Sequence, residues 1–515
     1  MKKPIYAFVL IFFLLSCASD SGDSTEPPMP PSDEAVPVIS LSNVPKLIEV
    51  LTELSVTITD TSNVTSSILI DGEEVFSSSE KSFAFSLDPF DYSIGDKTIT
   101  VRTMDENGNE ASANASFELK KLLVDYPNPL RDVLSDIADS YLAINDDNGA
   151  LIMYRKVESE ADGVFYADDN FERQHFTFTR YRIQKDPVTG LVLDSFGNIE
   201  PGTRLLSDEE IANRFPAPFP GRDTSLDITV NSTKFAGVNT YHSILYPNVL
   251  PGLGNYSLEY ASEVAPNFLM TLSPPGIFEA SEYLYLFIDD LSKLVYEEAD
   301  FKAADTFATV TIPEGDSFNL SLLGFKNEMD YRENKYQVVY GAFDYLNGSN
   351  DQKEVPILPE FDLYEKRLIL ERPGGKTLFL QQKGIDTDFS IPNLDISATT
   401  ETVNIIGDYD FIRYNLIILT PLSGGGSGFF WEFTDRPTSS DNIPFLTNFV
   451  FPEEIAIELS SKGIETNPTL VDPGTYVSRL FKYESPVDYT SLIFTGITPR
   501  SGSNNSFRLQ LNLEE

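Results

Sequence analysis

The sequence predicts an all-β protein, one β-sandwich followed by tandem β-sandwich modules. Three observations point there. Apolar residues recur with a period of two in short runs separated by Gly, Asn, Asp and Pro, the pattern of half-buried strands joined by tight turns. The 515 residues include 37 Phe and 24 Tyr, and 41% are hydrophobic, enough for most of the chain to fold around cores. Helical spacing is confined to one short stretch, Leu130, Val133, Leu134, Ile137 and Tyr141, which is expected to form an amphipathic helix.

The first element is an address. Lys2 and Lys3 precede an apolar run from Ile5 to Leu15. That run is about eleven residues long, against the roughly 20 that a spanning helix needs, so residues 1–16 read as a signal peptide. It ends in Leu14-Leu15-Ser16-Cys17. This run resembles a bacterial lipobox, with Leu15 where Ala, Ser or Thr is usual. The resemblance implies that Cys17, the chain's single Cys, is acylated with chains such as palmitate and becomes the mature N-terminus. Each buried CH₂ contributes about 0.8 kcal/mol, so two or three chains hold a protein at a membrane without a spanning segment.

Residues 17–36 are rich in Ser, Asp, Glu and Pro, with too few apolar residues to bury a core, and are expected to form a tether. Ala18 stands where an Asp would resemble an inner-membrane retention signal, and the acidic run to Glu26 resembles the surface-export signal of Bacteroidota lipoproteins. The resemblance implies an outer-membrane lipoprotein facing the cell exterior.

Residues 37–120 alternate clearly. Leu54, Val56 and Ile58 point one way, Ile68 and Ile70 lead into the hairpin turn Asp71-Gly72, Phe83, Phe85 and Leu87 follow, then Ile99 and Val101 before Asp105-Glu106-Asn107-Gly108-Asn109. The order of features resembles bacterial Ig-like domains, which serve as spacers or adhesive modules. Asp105, Glu106 and Asn109 could bind calcium, but such a loop more often simply turns.

After Pro127 and Pro129 the chain is expected to form three further modules, 126–265, 266–400 and a C-terminal β-rich 401–515. Tyr141, Asp147, Tyr154 and Phe176 recur 142 residues later as Tyr283, Asp289, Tyr296 and Phe318, which suggests a duplication. A fainter third copy relates Val310-Thr311-Ile312-Pro313-Glu314 to Phe449-Val450-Phe451-Pro452-Glu453. Boundaries are expected at Ser273-Pro274-Pro275-Gly276 and near Ile391-Pro392. The acidic turns at 145–149 and 288–290 read as solvated hairpin tips, since neither has the ligand spacing of a calcium loop.

Composition excludes much chemistry. One Cys forms no internal disulfide or Cys-based zinc site, and two His cannot supply a three-histidine metal centre. With 37 Lys+Arg against 79 Asp+Glu, a net charge of −42 repels nucleic acid. There is no G-x-S-x-G elbow, Walker loop or H-E-x-x-H. His175, next to Phe176 and Phe178, and His242, among Tyr241, Ile244 and Leu245, read as ordinary strand or loop residues. Gly424-Gly425-Gly426-Ser427-Gly428 lacks the Lys of a phosphate loop and reads as a hairpin loop before the alternating strand around Trp431. Trp431 is expected in a core. Tyr241, Tyr256 and Tyr260 could form a sugar platform or a core.

No catalytic residue, metal or cofactor is expected, and Cys17 is the one site residue. The expected function is non-catalytic binding or adhesion by a lipid-anchored envelope protein, with a glycan or an envelope protein as partner. The alternatives are an accessory subunit of an outer-membrane complex and, behind it, a secreted polysaccharide hydrolase. A hydrolase needs only two carboxylates roughly 5–10 Å apart, and no pair stands out in the sequence.

Overall fold

The computed structural model describes residues 35–127, 129–132, 137–184, 190–205, 224–233, 237–242, 245–250, 254–260, 268–273, 283–333, 335–385, 388–398, 403–422, 425–436, 449–461, 475–483 and 506–513. It is all-β, with two short α-helices among the described residues. Chain contacts divide it into two units. One holds residues up to 88 with 95–119, the other 89–94 with 120–515.

The first unit is an Ig-like sandwich. Its strands are β1 (Val38–Ser42), β2 (Leu47–Ile48), β3 (Thr52–Thr59), β4 (Val64–Ile70), β5 (Glu73–Ser78), β6 (Ser82–Leu87), β7 (Gly95–Asp105) and β8 (Glu110–Leu119). Two sheets form, in the orders β1-β3-β6 and β2-β8-β7-β4-β5. The alternation decides which side chains go inside: Leu54, Val56, Ile58, Ile68, Ile70, Phe85, Leu87, Ile99 and Val101 are all buried, each worth about 1.5–3 kcal/mol relative to exposure. Asp71 (φ 50°) and Gly72 (φ 92°) make the expected β4–β5 turn, both in the left-handed region that Asp-Gly tolerates.

The second unit holds β9 (Lys121–Asp125), β10 (Ile137–Asp146), β11 (Leu151–Lys156), β12 (Val164–Ala167), β13 (Phe176–Gln184), β14 (Gly190–Ile199) and β15 (Thr203–Arg204). Then come β16 (Thr224–Asn231), β17 (Gly237–His242), β18 (Leu245–Leu250), β19 (Gly254–Tyr260), β20 (Phe268–Ser273), β21 (Leu284–Ile288), β22 (Val295–Glu297) and β23 (Lys302–Ala303). A long hairpin, β24 (Thr306–Phe325) and β25 (Gln337–Ile357), encloses helix α1 (Glu328–Arg332). The chain ends with β26 (Leu363–Arg372), β27 (Lys376–Lys383), β28 (Asp395–Ala398), β29 (Val403–Ile406), β30 (Phe411–Leu422), β31 (Gly425–Asp435), helix α2 (Glu453–Ser461), β32 (Thr475–Tyr483) and β33 (Ser506–Leu513).

Twelve of these strands form one sheet, in the order β11-β10-β13-β14-β31-β30-β32-β33-β27-β26-β24-β25. All three spans expected as separate modules contribute strands to it, and contacts divide the chain once, near residue 120. β14 and β31 meet in parallel, Leu193 opposite Trp431, and this pairing joins the early strands to the late ones.

The suggested duplication is not reproduced in the pairings. β10 forms a hairpin with β11, whereas β21 pairs with β20 and β23, and β22 pairs with β16. Val310-Thr311-Ile312 lies inside β24, whereas Phe449-Val450-Phe451 precedes α2. The expected helix around Leu130 is a short 3₁₀ turn (Pro129–Asp132), and Ile137 and Tyr141 belong to β10, where two partner strands outweigh a weak helical pattern.

The large sheet has two faces. On one, Tyr181, Leu193, Trp431, Phe433, Tyr414, Leu480, Leu509, Leu378, Leu368 and Leu320 join a single core with Leu269 and Tyr285 of the β18-β17-β20-β21-β23 sheet and Ile455 of α2. Behind that sheet, Phe268, Met270 and Leu272 pack on Ile228 and Val230 of the β19-β16-β22 sheet. The second face is covered in part. The β12-β9-β15 sheet packs Leu123, Val124 and Phe165 on Leu142, Ile144, Phe178 and Phe196, and at the far end Tyr331 of α1 packs on Leu323 and Phe325.

Candidate functional site: the second face of the large sheet

From the margin of the first covering, where Phe411 is buried and Phe481 packs against it, to the far end, the second face carries two adjacent rows of side chains, set by register. One row runs Phe411, Phe481, Arg508, Phe379, Ile369, Asn319 and Phe343 across β30, β32, β33, β27, β26, β24 and β25. The next, two residues along each strand, runs Arg413, Arg479, Gln510, Thr377, Glu371, Ser317 and Tyr345. Their inward neighbours, among them Leu480, Leu509, Leu378 and Leu320, fill the core, so alternation sends these side chains to the opposite face, where Phe411 and Thr377 are themselves buried and the others are partly or fully exposed.

The rows are aromatic at both ends. At the edge strand, Phe343 and Tyr345 are 56% and 69% exposed, their rings edge to face at 5.3 Å. Ile369 is 38% exposed. At the other end Phe411 and Phe481 stack at 4.3 Å. The middle is cationic. Arg508 lies 3.5 Å over the ring of Phe379, and Arg413 lies 5.8 Å from the ring of Phe481. Arg413 faces Glu432 at 3.4 Å, while Arg479 Nε donates to the neutral Gln510 Oε1 at 2.9 Å. Burial, reinforced by the charges of Arg479 and Arg413, pushes the Arg508 guanidinium down to about 10.

A second cluster sits at the end of β31. Burial pushes Asp435 up to about 7, against a hydrogen bond from Arg436 N at 2.7 Å and with a further push from Asp147. Gly197 leaves room for this carboxyl, since a Cβ there would come within 2.7 Å of Asp435 Oδ1. Asp147, on the β10–β11 turn, is raised by desolvation, with His175 opposing. His175 Nε2 lies 3.8 Å from Glu200 Oε1. Among the described residues no group of three metal-ligating side chains forms.

The residues singled out from sequence fall as follows. Cys17 lies outside the described residues. His175 immediately precedes β13 and is half-exposed, while Phe176 and Phe178 are fully buried. His242 and Tyr241 end β17, and Tyr256 and Tyr260 lie in β19, their side chains outside the described residues. Trp431 is a core residue, 2% exposed, its Nε1 donating to Ser195 Oγ at 2.9 Å. Gly425 to Gly428, expected in a loop, already belong to β31 and pair with Leu422 to Leu419. The Asp105 carboxylate accepts from Asn107 N, Asn109 N and Asn109 Nδ2, so the turn satisfies itself. Those bonds outweigh the cost of burial and hold its pKa down. The Asp146 carboxylate accepts from Asn148 N and Ala150 N.

The two rows escape a motif search because no two of their residues are close in sequence across strands. A local signal exists in Arg413, between Ile412 and Tyr414, and Arg508, between Phe507 and Leu509, with a weaker one in Arg479, between Ser478 and Leu480. Phe343 and Tyr345 flank Asp344, aromatic residues in the phase where polar ones are expected.

No protein-family model and no curated protein matches the chain in sequence. Among solved structures, the chain is similar to the SGBP-B of a Bacteroides ovatus mixed-linkage glucan utilization locus, in complex with a mixed-linkage heptasaccharide. The identity is 11%, over 64% of this chain and 93% of that one, with a TM-score of 0.15. A Ca²⁺-stabilized adhesin that helps an Antarctic bacterium bind ice is 12% identical over 69% of this chain and 99% of its own, with a TM-score of 0.14. Domains A168–A170 of titin are 10% identical over 65% and 93%, with a TM-score of 0.16. At these values none carries an argument about ligand or role, and the all-β assignment stands on the sheets described above.

Proposed function

We propose that this chain is a lipid-anchored envelope protein, displayed at the outer surface, that binds a saccharide on the second face of its large sheet. One observation carries the reading: an aromatic and cationic surface built by register across seven strands, ending in the exposed pair Phe343 and Tyr345. Aromatic rings offer apolar faces to sugar C–H groups, and a rigid sheet holds them at fixed spacing. The anchor rests on the lipobox resemblance at Cys17. Among the described residues no helix is long and apolar enough to cross a membrane.

Affinity electrophoresis against a panel of polysaccharides tests the binding. At least one should retard the intact chain, and Phe343→Ala with Tyr345→Ala should abolish that retardation. If none does and the chain co-purifies with an envelope protein, the accessory-subunit reading replaces this one. Protease shaving of intact cells, with a Cys17→Ala variant, tests display and anchoring. The protein should be shaved, and the variant should be released.

A second reading, a polysaccharide hydrolase, has one observation in its favour: Asp435 with a pKa near 7, influenced by a second raised carboxyl, Asp147. It requires that product form and that Asp435→Asn stop it.

A further inference from the structure

We propose that Arg413, Arg479 and Arg508 form a subsite for a single carboxylate, so that the bound saccharide carries isolated acidic sugars among neutral ones. This rests on the binding surface proposed above and specifies what it selects.

The arginines are placed in a way that stability alone does not favour. Arg413 stands directly opposite Arg479 on adjacent antiparallel strands. Like charges so placed repel. Arg508 lies on the next strand, opposite Phe481, so its backbone is about 8 Å from that of Arg479 and about 12 Å from that of Arg413, all on one face. The chain carries 79 carboxylate side chains, yet only one, Glu432, ion-pairs with this trio among the described residues. Glu371 lies three strands from Arg479 in the same row, and accepts from Thr377 Oγ1 at 2.8 Å. No acceptor among the described residues reaches the buried Nε of Arg508. Three half-buried guanidinium groups that share one carboxylate suit an incoming second one, which they hold by paired, charge-assisted hydrogen bonds.

The surroundings narrow the ligand further. Phe379 and Phe481 flank Arg508 in its row, so neutral sugar faces and one acid group can be met side by side. The net charge of −42 repels densely charged polyanions at a distance. Screening confines that repulsion to about 8 Å at physiological salt, and a sparse acid avoids most of it. The same argument disfavours nucleic acid and anionic membrane.

The test uses glucuronoxylan, a xylan with occasional glucuronic acid side groups, its carboxyl-reduced form, and polygalacturonate as a dense polyanion, each titrated against the intact chain. The native chain should bind glucuronoxylan at least tenfold more tightly than either of the others. Arg508→Gln and, separately, Arg479→Gln should each collapse that preference to within about twofold. The second variant guards against misfolding of the first, and circular dichroism checks both. Equal affinity for the acidic and reduced polymers overturns the subsite while leaving saccharide binding intact. Tighter binding of a Glu-rich peptide than of any polymer moves the site to a protein ligand and also overturns it. If no polysaccharide of the panel binds, the binding reading itself fails and the subsite goes with it.

Discussion

The N-terminal sandwich and the large sheet of the second unit obey the same alternation and use its outward positions differently. In the sandwich, β3 buries Leu54, Val56 and Ile58 and turns Ser55, Thr57 and Thr59 outward; β8 turns out Ser112, Asn114 and Ser116. Such residues hydrogen-bond water and offer little to grip. Its polar pairs are settled internally, as in Ser66 with Thr103 at 2.9 Å and Lys97 with Asp71 at 2.9 Å. In the large sheet the matching positions hold Phe343, Tyr345, Ile369, Phe379, Arg479 and Arg508. One region turns polar side chains outward and the other aromatic and cationic ones, and the difference lies in residues that do not build the core within either sheet.

Experiments can break or sharpen this contrast. The largest effect should come from the cores. Trp431→Ala should destabilise the second unit by about 3–5 kcal/mol and Leu54→Ala the sandwich by about 2–5 kcal/mol. Calorimetry should show each variant shifting a different transition. A single shared shift would break the division into two units.

Next is Asp435. Its folded pKa of about 7 lies above the ordinary 3.8, so the stability it contributes is full below about pH 4 and is lost as pH rises through 7. Asp435→Asn should therefore raise the unfolding free energy measured by urea titration at pH 8, by up to about 4 kcal/mol, and change it little at pH 4. An equal change at both pH values would refute the burial account.

Gly72→Ala should cost the sandwich about 1–2 kcal/mol, because φ of 92° lies where L side chains are strained. Least of all, Phe343→Ala and Tyr345→Ala should alter stability by no more than about 0.5 kcal/mol. A large loss would make these two rings structural and erase the contrast.

The strands of the sandwich were nearly all legible in the sequence, because one face of each is buried and the alternation is strict: Leu54, Ile68, Phe85, Ile99 and the Asp71-Gly72 turn fall where alternation puts them, although pairings such as β3 with β6 and β2 with β8 join strands that do not follow one another. The second unit was legible as strands and not as a sheet. Register between β14 and β31, or β27 and β33, joins segments far apart, and no local rule names such partners. The weak recurrence at 142 residues misled for the same reason, since similar short runs of Tyr, Asp and Phe suit any hairpin. The two rows of the candidate site inherit that opacity, because they exist only once the register is known.

The parallel junction of β14 with β31 also bears on how the molecule is made. Trp431 reaches Ser195 across 236 residues of chain, so the centre of the sheet closes only after nearly all of the second unit has emerged. The sandwich, whose strand pairings all lie within residues 38–119, can mature while that wait continues. Contacts of such separation slow folding and leave strand edges open to misassociation in the interval. Because Trp431 is the chain's single tryptophan, its fluorescence should rise or shift only in the late kinetic phase, a built-in clock for the step that closes the exposed strand edges.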